Sequence, residues 1–216
     1  MAKNSGFSLI EILVAMAIGS IAMAAIFLAY QVQVRGKISQ ENVLDRNHNT
    51  RAALELIASD IRMAGCDPIG TAAAGFVTAT STTLEVTMDI SCGVACYESD
   101  GDADDIGEHI LYTLTASNIM RERVGTDSEG GIELISNVDA LNFVYLDTNN
   151  ATTTDLTAIR SVQISIVAHS PERGLEASYT DNNSYLNQQN VEILAPQGDT
   201  LRRLQLSTTV QCRNMR

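Results

Sequence analysis

From Ile12 to Tyr30 the chain runs nineteen positions without a charged residue, most of them Ile, Leu, Ala or Met. At about 1.5 Å per residue a helix of that length covers roughly 28 Å, close to the thickness of a bilayer's hydrocarbon layer. The pattern predicts one membrane-spanning helix. A cleaved secretory signal is the competing reading, and Ala22 to Ala25 could imitate its small-residue cleavage site. Such signals have an apolar region of about 7 to 15 residues. Here the run continues through Ile26, Phe27 and Leu28 to Tyr30.

Beyond Tyr30 continuous apolarity gives way to a helical stripe, Leu54, Ile57, Ile61 and Ala64, set among Arg51, Glu55, Asp60 and Arg62. No Pro intervenes before Pro68, and Gly65 followed by Cys66-Asp67-Pro68 is a helix stop. Residues Phe7 to Ala64 therefore read as one helix, with a polar middle at Gln40 to Thr50 where it is free to bend or loosen. Past Pro68 the period changes to two. Leu84–Met88, Ile110–Leu114, Leu141–Tyr145, Val162–Ile166 and Leu204–Val210 alternate like half-buried antiparallel strands. Between them lie polar clusters at Asp100–Asp105, Gly125–Gly131 and Asn149–Asp155. The polar stretch Pro171–Asp199 is too long for a passive connector, so it reads as a functional loop or as carrying a short strand near Val191–Leu194. The predicted fold class is α+β, a long N-terminal helix whose amphipathic part packs on a largely antiparallel sheet. The implied segments are 7–30 for the membrane helix, 31–66 for its amphipathic continuation and 67–216 for a β-rich head.

Charge follows the same division. Residues 1–66 carry six Lys or Arg against five Asp or Glu, whereas 67–216 carry eight against twenty-one, for a net of −12 over the 216 residues. An acidic head argues against nucleic acid as a partner, because phosphate neutralisation needs clustered Lys and Arg. The exception is the end of the chain, Arg202 to Arg216, with four Arg and no acid.

One carboxylate, Glu11, stands at the start of the apolar helix, where an unpaired charge in lipid costs several kcal/mol. The helix dipole and the headgroup layer would relieve part of that cost, but they give no reason for the residues before it. Those residues are Lys3, then Gly6-Phe7-Ser8-Leu9-Ile10-Glu11. This opening resembles the leader and first turn of type IV pilins and pseudopilins. The resemblance implies a leader, residues 1–6, cut by a membrane-embedded prepilin peptidase between Gly6 and Phe7. It also implies N-methylation of the new Phe7 amine, and Glu11 pairing with the amino terminus of a neighbouring subunit. Neutralising a buried amine with a buried carboxylate sets subunit stagger, since misregister leaves both uncompensated. Lys3 faces Arg35 and Lys37 across the helix, so charge alone leaves orientation nearly tied; the resemblance implies a cytoplasmic leader and an exported, periplasmic head.

Within that family the chain is similar to PilW-type minor pilins along nearly its whole length. The matching pieces are Ser59–Gly65, Glu108–Tyr112 with Met120-Arg121, Asn137–Tyr145, and Arg202–Val210 followed by Arg213-Asn214. This implies a minor pilin that joins other minor pilins and the major pilin to prime or cap a type IV pilus. It would reside in the bacterial inner membrane first and in the pilus, at or near its tip, afterwards. A minor pseudopilin of type II secretion is the nearest alternative, and a membrane-tethered periplasmic adhesin or enzyme is one of another class.

In an exported head, four Cys suggest disulfides. Cys92 and Cys96 flank only Gly-Val-Ala and could close a tight loop, leaving Cys66 to meet Cys212; buried free thiols are the alternative. His48, His109 and His169 do not sit at zinc-ligand spacing from the Cys pair. Asp100, Asp102 and Asp104, with Glu108 four residues on, offer hard oxygens to Ca²⁺ but depart from an EF-hand at Asp105 and Leu111, and a solvated acidic turn is the simpler reading. No nucleophile elbow, phosphate-binding loop or zinc-hydrolase pair occurs, so no enzyme activity or other cofactor is expected.

Overall fold

The computed structural model describes residues 8–90, 99–125, 131–170 and 179–215. The chain divides into two compact units, Met1–Leu44 and Asp45–Arg216. Helix α1 covers Leu9–Met63, so its last nineteen residues, 45–63, belong to the second unit. It stays helical through the polar middle at Gln40–Thr50, where the sequence left room for a bend.

In the first unit every described residue from Ser8 to Tyr30 is exposed. A row of side chains such as Ile10, Ile21, Phe27 and Leu28 facing outward has no aqueous rationale; it is the surface of a helix made for lipid or for other helices. The segment is long and apolar enough to cross a membrane.

The second unit builds its core on the amphipathic end of α1. Ala53, Ile57, Ala58, Ile61 and Ala64 are all buried and join one cluster with residues from both sheets. Helix α1 stops where Gly65 takes a positive φ of 74°. Its N–H donates to the Thr87 carbonyl at 3.0 Å; the positive φ favours glycine there, and a Cβ would lie 2.7 Å from the Met215 sulfur, displacing that flexible side chain.

Five strands form an antiparallel meander in sequence order: β1 (Phe76–Ala79), β2 (Thr83–Thr87), β3 (His109–Thr115), β4 (Asn118–Arg123) and β5 (Ile132–Ile135). A second sheet takes β6 (Val138–Leu146), β7 (Ser161–His169) and β10 (Arg203–Gln211) in the order β10-β7-β6, again antiparallel. A small hairpin, β8 (Tyr185–Leu186) with β9 (Glu192–Leu194), rises from the long polar stretch between β7 and β10. Each strand read from alternation is present, β2 shifted by one residue and the others with slightly wider bounds, and the short strand anticipated near Val191 is β9.

Strand β7 departs from simple alternation, because both of its faces are covered. Val162, Ile164 and Ile166 point into the core. On the opposite face Ser161, Ser165 and Val167 are also buried. The hairpin segment covers that face with amides: Asn187 Nδ2 donates to Asn142 Oδ1 at 3.0 Å, Gln189 Nε2 to Gln163 Oε1 at 3.0 Å, and Thr209 Oγ1 to Gln188 Oε1 at 2.8 Å.

Candidate functional site

Glu11 lies at the third position of α1, and the local sequence dictates where its carboxylate goes. Ser8 precedes the helix, and Glu11 Oε2 accepts its N–H at 2.8 Å. Ser-x-x-Glu is the side-chain-to-backbone half of a capping box, which satisfies one orphan donor and places negative charge at the positive end of the helix dipole. No Lys or Arg among the described residues pairs with Glu11; the ion pairs that involve α1 lie farther along it, Lys37 with Glu41, exposed and one turn apart, and Asp60 with Arg121 of β4 at 3.1 Å. Glu11 shares a shallow depression on the helix surface with Ile12, Ala15 and Met16. An anionic group thus sits in an exposed apolar surface, on the N-terminal turn. Lys3, Gly6 and Phe7 lie outside the described residues.

Residues 1–27 match the prokaryotic N-terminal methylation motif. Among solved structures, the type IV-like pilin TTHA1219 from Thermus thermophilus superimposes with a TM-score of 0.52 at 14% identity, over 78% of this chain and 96% of that one. The chain has a type IV pilin fold headed by a prepilin methylation motif. No curated protein sequence matches it. At 14% identity the shared feature is the architecture, a long N-terminal helix whose last turns pack on antiparallel sheets, and the pilin motif comes from the N-terminal residues. That helix and motif fit membrane anchoring.

In the β-rich head the acidic residues singled out in the sequence separate. Carboxylate oxygens of Asp100, Asp102 and Asp105 lie within 4.8 Å of one another, so Asp105, not Asp104, completes the group. Glu108 does not join it. It is fully buried, with Oε1 accepting the Ile90 N–H at 2.6 Å and Oε2 the Asp105 N–H at 3.2 Å. Burial of Asp105, together with the charges of Asp100, Asp102, Asp104 and Asp89, raises its carboxyl above the ordinary range. Its Oδ2 is shut from solvent without a partner. Asp89 organises the turn: fully buried, it receives the Asp100 N–H on Oδ1 and the Gly101 N–H on Oδ2, each at 3.2 Å.

The expected Cys66–Cys212 bridge is not formed. Both are free thiols, Cys66 half-buried and Cys212 buried. The chain end closes on α1 by other means, with Asn214 Nδ2 donating to the Arg62 carbonyl at 3.1 Å and Met215 filling the space beside Gly65. Desolvation, with Asp89 and Asp67 adding to it, raises the Cys66 thiol, and desolvation pushes Cys212 up to about 12, so both stay protonated. Cys92 and Cys96 lie outside the described residues.

Two histidines lie beside carboxylates and the third faces solvent: His109 Nε2 sits 2.7 Å from Glu85, His169 Nδ1 sits 3.0 Å from Asp139, and His48 is exposed. Sequence reasoning missed the densest polar cluster. Arg203, whose side chain is 2% exposed, donates from Nε to Asp139 at 2.7 Å, from Nη1 to Asp181 at 2.8 Å and from Nη2 to Asp199 at 2.7 Å. Asp181 and Asp199 are the two stems of the hairpin segment, joined to each other by the Asp181 N–H to Asp199 carbonyl bond at 2.7 Å. Arg203 follows directly on Arg202, and nothing in the local pattern separates the exposed guanidinium from the buried one.

Proposed function

We propose that this protein is a minor type IV pilin of the PilW kind. It is inserted by α1, trimmed by prepilin peptidase between Gly6 and Phe7, N-methylated at Phe7, and built with other minor pilins and the major pilin into a complex that primes or caps the fibre. The role is structural. The observation that carries it is Glu11: a carboxylate heading the otherwise apolar, exposed stretch from Ser8 to Tyr30, satisfied among the described residues by the Ser8 N–H. Cleavage after Gly6 would create an ammonium one residue before Ser8. Another subunit's ammonium then replaces the Ser8 N–H as the partner of Glu11, and an ion pair inside lipid is far stronger than either group's interaction with a helix end. The size of the head and the Arg202–Val210 sequence support the PilW-type assignment.

The reading is tested by the mass of the protein purified from its own membranes. A mature chain starting at methylated Phe7 is the expected outcome. A chain still starting at Met1, with the helix serving only as a tether, overturns it.

A further inference from the structure

The hairpin segment between β7 and β10 is fastened at its stems and at its tip by different chemistry. At the stems Asp181 and Asp199 form a bridge, with the Asp181 N–H on the Asp199 carbonyl at 2.7 Å and the Gly198 N–H on the Asp181 carbonyl at 2.9 Å. Arg203 ties both stem carboxylates, and Arg46 of α1 donates from Nη1 to the Arg202 carbonyl at 2.7 Å. Bonds from a guanidinium are about twice as strong as bonds between neutral groups.

The tip is held by neutral groups alone among the described residues. Its bonds are those of Asn187 to Asn142, Gln189 to Gln163 and Gln188 to Thr209, with Gln205 Nε2 donating to the Leu186 carbonyl at 2.5 Å. Apolar burial adds little. No residue from 182 to 198 joins the core cluster; Leu186 and Val191 are exposed, and Ile193 and Leu194 are half-buried. The face of β7 beneath carries Ser161, Gln163, Ser165 and Val167, so Val167 is its one large apolar side chain. Lifting the tip therefore exchanges neutral hydrogen bonds for bonds to water, each at a small net cost, and leaves the core of the head untouched. A two-stranded hairpin such as β8–β9 is also marginal on its own, so its internal bonds loosen once the sheet below no longer supports it.

We propose that residues 182–198 form a hinged flap: the stems clasped by Arg203 are the pivot, the neutral amides at the tip are the latch, and the flap swings off the second sheet while the rest of the head stays folded. Opening bares Asn142, Gln163, Ser165 and Thr209, a patch of uncharged hydrogen-bonding groups in an otherwise acidic head. In the closed state the flap's own amides engage Asn142, Gln163 and Thr209, so the flap is a built-in cover for that patch. The inference rests on the head alone and does not depend on the proposed function.

The test labels full-length Ser165→Cys in detergent with a small thiol reagent and maps the sites by peptide mass. Ser165 is 1% exposed on the covered face, whereas Cys212 belongs to the core, so reaction at Cys212 reports unfolding of the whole head. The thiol introduced at position 165 should react about tenfold or more faster than Cys212, at a rate that low urea barely changes. Adding Gln188→Ala and Gln189→Ala, both at exposed positions, should raise that rate about tenfold. Hydrogen exchange of the unaltered protein makes the same comparison without a new thiol: the Asn187 and Val191 amides, which bond across the tip, should exchange independently of low urea, and those of Ile164 and Ile166 only on unfolding of the head. The proposal fails if position 165 and Cys212 react together with one urea dependence, if the two Gln substitutions change nothing, or if the Asn187 and Val191 amides share the protection of Ile164.

Discussion

At Arg203 a single guanidinium bonds carboxylates from three separate parts of the chain: Asp139 on β6, and Asp181 and Asp199 at the stems of the hairpin segment. Hydrogen bonds from Arg203 hold Asp199 down at about 2. Burial alone would raise Asp181, but bonds from Arg203, the Asn183 amide and the Tyr185 hydroxyl bring it below the usual range. Both shifts are depressions, so the stability they supply is present above the ordinary carboxylate value and is lost as pH falls towards 2. Arg203→Met would leave Asp181 buried without its counter-charge, at a cost of roughly 3–5 kcal/mol near neutral pH. Urea unfolding followed by tyrosine emission should show that loss at pH 7 and a much smaller gap between variant and parent at pH 2.5. An equal gap at both pH values would mean that Arg203 acts by packing and not by charge.

The helix end and the strands show what the linear pattern encodes. The stripe read as Leu54, Ile57, Ile61 and Ala64 is the face that α1 turns to the core, with Ile57, Ile61 and Ala64 fully buried and Leu54 packed at the margin. Replacing Ile57 by Ala removes three buried carbons and should cost about 2–5 kcal/mol, whereas Leu56→Ala, one position round the helix and 36% exposed, should cost a small fraction of that. Urea unfolding of the two variants measures the difference, and equal costs would contradict the assigned face. Alternation likewise exposed β2, β3, β6, β7 and β10, because each presents one apolar face to the core. Strands β1, β5 and β8 were hidden in the sequence. They are two to four residues long, and in β5 Ile132 and Glu133 are both exposed, so no period can show. The acidic group was legible as a composition and wrong in detail, since which of Asp104, Asp105 and Glu108 turns inward depends on the Ile90 and Asp105 N–H groups that Glu108 caps. The Arg203 clasp was illegible for the same reason: its partners lie 4, 22 and 64 residues away.

At the scale of the molecule, a head of strongly negative charge is attached in sequence to a helix that has almost none. Heads carrying like charge repel one another, so on the proposed reading recruitment into a fibre has to be driven by the helices, where apolar contact is non-directional and cannot by itself choose a register. On that reading Glu11 supplies the choice. On the same reading membrane insertion depends on the apolar run from Ile12 to Tyr30, which Glu11→Ala leaves intact, so the variant should be found in the membrane fraction and trimmed after Gly6 like the parent. What it lacks is a partner for the neighbour's amine. Leaving that charge unpaired costs roughly 3–5 kcal/mol, which corresponds to a loss of on the order of a hundredfold or more in incorporation. Glu11→Gln keeps the shape and the capping bond to Ser8 but removes the charge, so it should fail to incorporate almost as completely, separating ion pairing from helix capping. Quantifying both variants in sheared fibres and in membranes decides the matter: normal levels in fibres would remove Glu11 from assembly, and rescue by Gln alone would reduce it to a helix cap.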